Sequence, residues 1–205
     1  MEILSGEKFE VYVKKNIFDP LGMTHSDFVH PMEDWSGFAK KFMYNEATET
    51  YLPDDTNTYR PCKGYASGGA GCVSTVEDYI KFLEALRIGD VILKKETIAM
   101  MTIDRLTPKQ RAMRVAGTEH TGYGLGMRTP REGYPHTEFG WGGAAGAFAS
   151  VDPVNNLTFY YAQHVLQSPN RAYRPFLYNT ILADLNGQPF DIPSFPIPLD
   201  PKITY

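Results

Sequence analysis

Apolar positions near the start of this 205-residue chain recur at helical spacing. Phe9, Val13 and Ile17 stand four residues apart, and the pattern predicts a helix from about Ile3 to Ile17, stopped by Pro20 and Gly22. Met1-Glu2-Ile3-Leu4 already reads as apolar helix with no cap before it. That abrupt opening is expected of a chain from which upstream sequence has been removed. A second stripe, Val76, Ile80, Leu83 and Leu86, follows Ser74-Thr75-Val76-Glu77. That tetrad reads as a capping box in which Ser74 accepts from the Glu77 amide, and Gly89 ends the helix. A short third helix is expected at Lys95–Ile103, presenting Ile98 and Met101.

Between the first two helices, from Thr24 to about Gly71, no long period survives. Turn clusters (Pro53-Asp54-Asp55, Asn57, Gly64) alternate with Trp35, Phe38, Phe42, Tyr44, Tyr51 and Tyr59. Such a connection is either a binding-site loop or an irregular layer over the core. From Gly122 the texture becomes strand-like. Three strands are expected: Gly122–Thr129, Phe139–Val151, and Leu157–Gln163 with Leu157, Phe159 and Tyr161 on one face. The short turn Asp152-Pro153-Val154-Asn155-Asn156 makes the last two antiparallel neighbours. A final helix is expected at Pro175–Leu185, ended by Gly187. Helices, then a meander, then a covering helix indicate an α+β class. The sheet is antiparallel with about three strands, a C-terminal helix packs on it, and a helical and loop region precedes it. Residues 1–186 read as one domain portion and 187–205, with five prolines, as an extended tail.

Composition narrows the function classes. A 42% hydrophobic share with 12 Phe and 13 Tyr is enough for a sizeable core, and 18 Gly with 15 Pro leave much of the chain to turns. A formal charge of −4 shows no basic excess of the kind nucleic acid requires, and no nucleic-acid partner is expected. No apolar run reaches the ~18–20 residues of a bilayer-spanning helix. The first residues lack the basic-then-apolar order of a secretory signal, and the compartment stays open. Cys62 and Cys72 are too few for a disulfide framework, although they could pair across a loop. His25, His30, His120, His136 and His164 show no metal-ligand spacing, two cysteines do not make a structural zinc site, and no cofactor is expected. Asn156-Leu157-Thr158 fits the glycosylation pattern, but in a tight turn.

The chemistry concentrates in Phe139-Gly140-Trp141-Gly142-Gly143-Ala144-Ala145-Gly146-Ala147-Phe148. A strand so poor in side chains is intrinsically weak and suits a place where something approaches the backbone closely. Read as one strand, it shows Gly142, Ala144 and Gly146 on one face and Trp141, Gly143, Ala145 and Ala147 on the other. A tight helix-on-sheet contact would also account for the small residues. A loose Gly-x-Gly-x-x-Gly/Ala match suggests a dinucleotide site, but such a site needs an amphipathic helix next, and Phe148–Pro153 reads as strand and turn.

Several segments, in order, resemble the family of serine β-lactamases, penicillin-binding proteins and related esterases. Ile17-Phe18-Asp19-Pro20-Leu21-Gly22-Met23 is similar to the turn after that family's second catalytic motif. Ser67-Gly68-Gly69-Ala70-Gly71 through Ser74-Thr75-Val76-Glu77-Asp78 resembles the start of one of its helices. Tyr123-Gly124-Leu125-Gly126-Met127 resembles one of its strands, and Asp152-Pro153 a turn between two others. Gly140-Trp141-Gly142-Gly143 stands where the family has its third motif.

The resemblance implies that Trp141, Gly142 and Gly143, with Tyr123, contact substrate, and that the Ala144 backbone N–H is one of two oxyanion-hole donors. An amide fixed beside the oxygen that gains charge needs no reorganisation and is worth roughly a hundred- to thousand-fold in rate. Trp141 stands where β-lactamases carry a cation, which points to neutral ester or amide substrates rather than carboxylate-bearing ones. The family's Ser-x-x-Lys nucleophile and Tyr-x-Asn motifs would lie upstream of the first helix. Ser5-Gly6-Glu7-Lys8 fits the first pattern, but it falls in the element after the second motif, and Gly6 weakens a one-turn helical geometry.

The implied protein is therefore a serine hydrolase for a small ester, amide or peptide-like substrate, of which this chain is an inactive part. A non-catalytic ligand- or partner-binding module is the competing reading. Surface left uncovered by the missing part would favour a homo-oligomer or a strand-exchanged dimer.

Overall fold

In the computed structural model, which describes residues 1–28, 37–54, 66–114, 120–134, 136–169 and 174–187, Gly6 breaks the expected N-terminal helix. It takes the left-handed conformation (φ 70°, ψ 7°) and its N–H closes α1 (Glu2–Ser5) on the Glu2 carbonyl. The chain restarts as α2 (Phe9–Val13), which runs into a π-helical turn at Lys14–Phe18. One glycine thus divides the apolar period into two helices. Val13, Phe18, Met23 and Phe28 form a buried cluster, with Phe9 meeting Phe28 edge to face at 4.9 Å.

The helix expected after Ser74 is α3 (Val76–Ile88), but its cap is Thr75, whose hydroxyl accepts from the Asp78 amide at 3.2 Å. The cap moves one residue because the side chain of Asp78, not of Glu77, is the one pulled inward. Gly89 (φ 73°) ends it as expected. The short helix α4 (Lys95–Met101) buries Ile98. Next comes α5 (Pro108–Ala112), capped by a Thr107/Gln110 box with proline in its first turn, a sequence signal the apolar pattern did not carry.

Among the described residues the sheet has seven strands, not about three, in the order β2-β1-β7-β6-β5-β4-β3. Both strands expected as continuous fold back on themselves. Gly122–Thr129 is a hairpin of β3 (Gly122–Tyr123) and β4 (Arg128–Thr129). Phe139–Val151 is a hairpin of β5 (Phe139–Gly142) and β6 (Gly146–Asp152). Glycine and alanine give no alternation by which a turn could be told from a strand. The third, β7 (Leu157–Leu166), pairs antiparallel with β6 as the short turn implied.

Two further strands, β1 (Phe42–Asn45) and β2 (Thr50–Pro53), come from the aromatic-rich connection. Because β1 runs parallel to β7, the sheet is mixed rather than antiparallel. The final helix, α6, spans Arg174–Leu185 as expected. Of the expected tail, 187–205, all but Gly187 lies outside the described residues, as does Cys62.

Side chains alternate across the sheet, so each strand serves two layers. On one face, Leu83 and Leu86 of α3 and Ile98 of α4 bury Phe139, Ala149 and Val151, and Tyr79 stacks on Tyr160 at 4.5 Å. On the other, Phe159 packs against Phe148 and against Tyr178 of α6. Tyr178 also donates its hydroxyl to the buried Asp152 carboxylate at 2.8 Å. Arg128 lies over the Phe148 ring at 4.9 Å, with its guanidinium 3.5 Å from the buried Glu138.

Candidate functional site

The connection between β5 and β6 is built by two backbone bonds. Gly143 N–H donates to Ala147 O at 2.7 Å, and Gly146 N–H to Gly143 O at 3.0 Å. Ala144 and Ala145 therefore occupy the two central positions of a tight turn, and the expected alternation of Gly142, Ala144 and Gly146 along one strand face does not exist. Gly146 has φ 100°, and a Cβ there would run into the Gln163 carboxamide, so glycine is required on both counts. Val165 N–H donates to Ala145 O at 2.8 Å, pinning the turn to β7. Ala144 itself is exposed, and among the described residues its N–H has no hydrogen-bond acceptor. The amide is held by its neighbours but left unused by them.

Beside this turn stands Trp141, 53% exposed, with Tyr123 meeting it edge to face across a centroid distance of 5.6 Å. Tyr123 is placed by Asp104, whose Oδ1 accepts from the amides of Tyr123 and Leu106, each at 3.1 Å. The other oxygen of Asp104 accepts from Arg111 at 2.6 Å. Burial pushes the Asp104 carboxyl up, but the Arg111 bond and the two amides outweigh it and hold the group below the ordinary range. The β3–β4 turn is fixed in turn by α4, since Leu125 N–H donates to Met101 O at 2.9 Å. Trp141, Gly142, Gly143 and Ala144 thus run consecutively from the end of β5 into its turn, with Tyr123 beside Trp141.

Ser5 and Lys8 do not share a helical turn, because Gly6 ends α1 between them. The Ser5 hydroxyl instead makes local bonds, accepting from Glu7 N–H at 3.2 Å and donating to Met1 O at 3.2 Å.

A second cluster, missed in the sequence, surrounds Asp78. Its carboxylate accepts from His25 N–H at 2.7 Å, Ser26 Oγ at 3.0 Å and Lys81 Nζ at 2.9 Å. Lys81 also donates to Gly22 O at 2.6 Å, so Asp78 ties the Pro20–Met23 turn to α3. Serine, histidine and aspartate are present there without triad geometry: Asp78 binds the backbone of His25, not its ring. The only sequence sign of this role is an acidic residue three positions after the cap.

A cavity of about 690 Å³ lies beside His25, Ser74 and Thr75, and another of about 760 Å³ lies along β1 and β2. Neither is lined by Trp141 or Ala144, both of which are exposed. Among the described residues no group of His, Cys, Asp and Glu is arranged to hold a metal, and no helix is long and apolar enough to cross a membrane.

A family model described as Beta-lactamase matches residues 1–182. The putative penicillin-binding protein PbpX of Bacillus subtilis (strain 168) is 31% identical over 102 residues, 48% of this chain and 24% of that protein. Among solved structures, the LovD6 mutant of simvastatin synthase (LovD) from Aspergillus terreus superposes with a TM-score of 0.78 at 21% identity, over 91% of this chain and 53% of that one. EstCE1, a hydrolase with promiscuous acyltransferase activity, gives 0.69 at 19% identity, over 90% and 52%. At these identities the structural likeness shows the fold. The chain spans about a quarter of the curated relative and about half of each structural relative.

Proposed function

The chain belongs to the Beta-lactamase family, and from that premise we propose that it supplies the sheet and oxyanion wall of a serine hydrolase acting on neutral esters or amides. The Ala144 N–H is the donor to the developing oxyanion, Trp141 and Tyr123 hold the apolar part of the substrate, and Gly142 and Gly143 let its backbone or acyl portion lie close. The nucleophile and its base, in Ser-x-x-Lys and Tyr-x-Asn, come from polypeptide outside this chain.

The observation that carries the proposal is the Ala144 amide, exposed, without an acceptor among the described residues, and fixed at a turn whose other ends are pinned by Gly143, Gly146 and Val165. A preorganised free donor is what stabilises charge in a transition state without reorganisation. An exposed Trp in place of a cation suits a substrate with no carboxylate to bind. Among the structural relatives, EstCE1 is a hydrolase with promiscuous acyltransferase activity, which agrees in chemical class.

A titration followed by amide NMR tests this reading. A neutral aryl phosphonate ester, whose phosphoryl oxygen resembles the developing oxyanion, should shift the Ala144 amide and the Trp141 indole N–H together and saturably. Shifts confined to the cavity beside His25 and Ser74 would overturn it.

The competing reading, a non-catalytic binding module, has one observation in its favour. Gly6 separates Ser5 from Lys8, so the chain's own Ser-x-x-Lys match is not a nucleophile site. A neutral ligand bound at Trp141 without any response of the Ala144 amide would favour that module.

A further inference from the structure

The turn that carries Ala144 cannot be fixed by its own side chains. From Gly142 to Ala147 none is larger than a methyl group, and glycine at Gly143 and Gly146 leaves the backbone free to take more than one shape. Two supports from outside the turn come from β7, which spans Leu157–Leu166. One is the Val165 N–H on Ala145 O. The other is the side chain of Gln163.

The register shows how Gln163 reaches the turn. Phe148 pairs with Tyr161 and Gly146 with His164, so two residues of β7, Ala162 and Gln163, stand opposite Ala147. Such a bulge re-aims a side chain out of the regular alternation. Here it sets the Gln163 carboxamide against Gly146, where an added Cβ would stand 2.8 Å from Cδ and 3.0 Å from Cγ. The carboxamide is anchored as well, since its Nε2 donates to the Oγ of the buried Ser168 at 3.1 Å. Ser168 follows Gln167, whose φ of 55° turns the chain just past the end of β7. The space left by the missing side chain of Gly146 is thus filled by a group that is itself held.

We propose that Gln163 is a positioning residue for the Ala144 amide: seated on Gly146 and held by Ser168, it selects the single turn shape that presents that N–H to a substrate oxygen. The proposal rests on the reading of Ala144 as the oxyanion donor. A hydrocarbon of similar size would fill the gap without the anchor, and the glycine at φ 100° would regain its freedom. A donor that has to be reset when the ligand arrives loses part of the benefit of being preorganised.

Amide relaxation dispersion of the free chain tests it, followed by titration with a neutral aryl phosphonate ester and with an aryl ether that lacks the phosphoryl oxygen. In Gln163→Leu and Ser168→Ala, exchange broadening should appear at Ala144, Ala145 and Gly146 and not at Phe139 or Gly140. Phosphonate affinity should fall about tenfold or more, while the aryl ether binds at Trp141 as in the wild type. Gln163→Glu, which can accept from the Ser168 hydroxyl, should recover part of both. Ser168→Ala removes only the anchor, so it decides if Gln163→Leu does not fold. Quiet turn amides and unchanged phosphonate affinity in a folded variant would overturn the proposal, as would equal losses for both ligands. A wild-type chain whose Ala144 amide ignores the phosphonate would instead sink the oxyanion reading, and this assignment with it.

Discussion

Tyr123 and Trp141 meet edge to face, their ring planes at 73°, although they come from different hairpins of the sheet. Edge-to-face pairs of this kind contribute about 0.5–1.5 kcal/mol beyond the area they bury. The contact is what makes a half-buried tyrosine and an exposed tryptophan into one surface.

Removing Trp141 should therefore separate binding from stability. Trp141→Ala should cost no more than about 1.5 kcal/mol in urea unfolding, since the ring is largely solvated. Binding of a neutral aryl ester, measured by calorimetry, should weaken about tenfold or more, as expected of an aromatic anchor. Unchanged affinity would remove Trp141 from the site.

Asp104 should act on the same surface from beneath. Asp104→Ala leaves the amides of Tyr123 and Leu106 and the Arg111 guanidinium without their acceptor. We expect a loss of about 2–3 kcal/mol, with Asp104→Asn recovering part of it, read from urea midpoints. Equal stability of all three proteins would mean that Asp104 does not hold the hairpin.

Acid should unfold the chain through three carboxylates. In Asp78, Asp104 and Asp152, burial raises the pKa but hydrogen bonds outweigh it. The principal partners are Lys81 for Asp78, Arg111 for Asp104 and Asn155 for Asp152, and all three groups sit below the ordinary value. A depressed folded-state pKa means stability that is fully present above the unfolded value, about 3.9, and lost as pH falls through the folded one. Urea midpoints contributed by these groups should hold from pH 7 to about 5 and drop below about pH 4. Replacing Asp78 with Asn should flatten that drop, and a midpoint rising between pH 5 and 3 would contradict the assignment.

At Gly146 two constraints coincide, a φ of 100° and the Gln163 carboxamide where a Cβ would lie. Gly146→Val should cost about 2 kcal/mol or more in stability and should shift the Ala144 amide resonance. Gly133 also has a positive φ (85°) but nothing near its missing Cβ, so Gly133→Ala should cost less and leave Ala144 unmoved.

The helices α3, α4 and α6 were legible in the sequence to within a few residues, although in α6 the buried side chain is Tyr178, and Leu177 and Leu185 are exposed. The hairpins were not. In Gly142–Ala147 small residues serve strand and turn alike, so the fold-back at Ala144 left no periodic trace. Along Phe42–Pro53 the alternation was short and its turn unremarked, although Asn45 marks it: its Oδ1 accepts from the amides of Ala47 and Thr48 at 3.0 and 3.4 Å. The order of family-like segments singled out Trp141–Ala144 and Tyr123, which the fold brings side by side. It included Asp78 without giving it a role, and it said nothing of Asp104 or Gln163, because the amide of Tyr123 that Asp104 holds and the turn at Gly146 that Gln163 meets lie on other segments.

Reaction of the purified chain with a serine-directed fluorophosphonate, followed by intact-mass spectrometry alongside turnover of a chromogenic ester, tests the division of labour proposed for the site. With the wall here and the nucleophile elsewhere, the mass should stay unchanged and hydrolysis should remain at background. A stoichiometric adduct on Ser5, or ester turnover abolished by Ser5→Ala, would contradict the account.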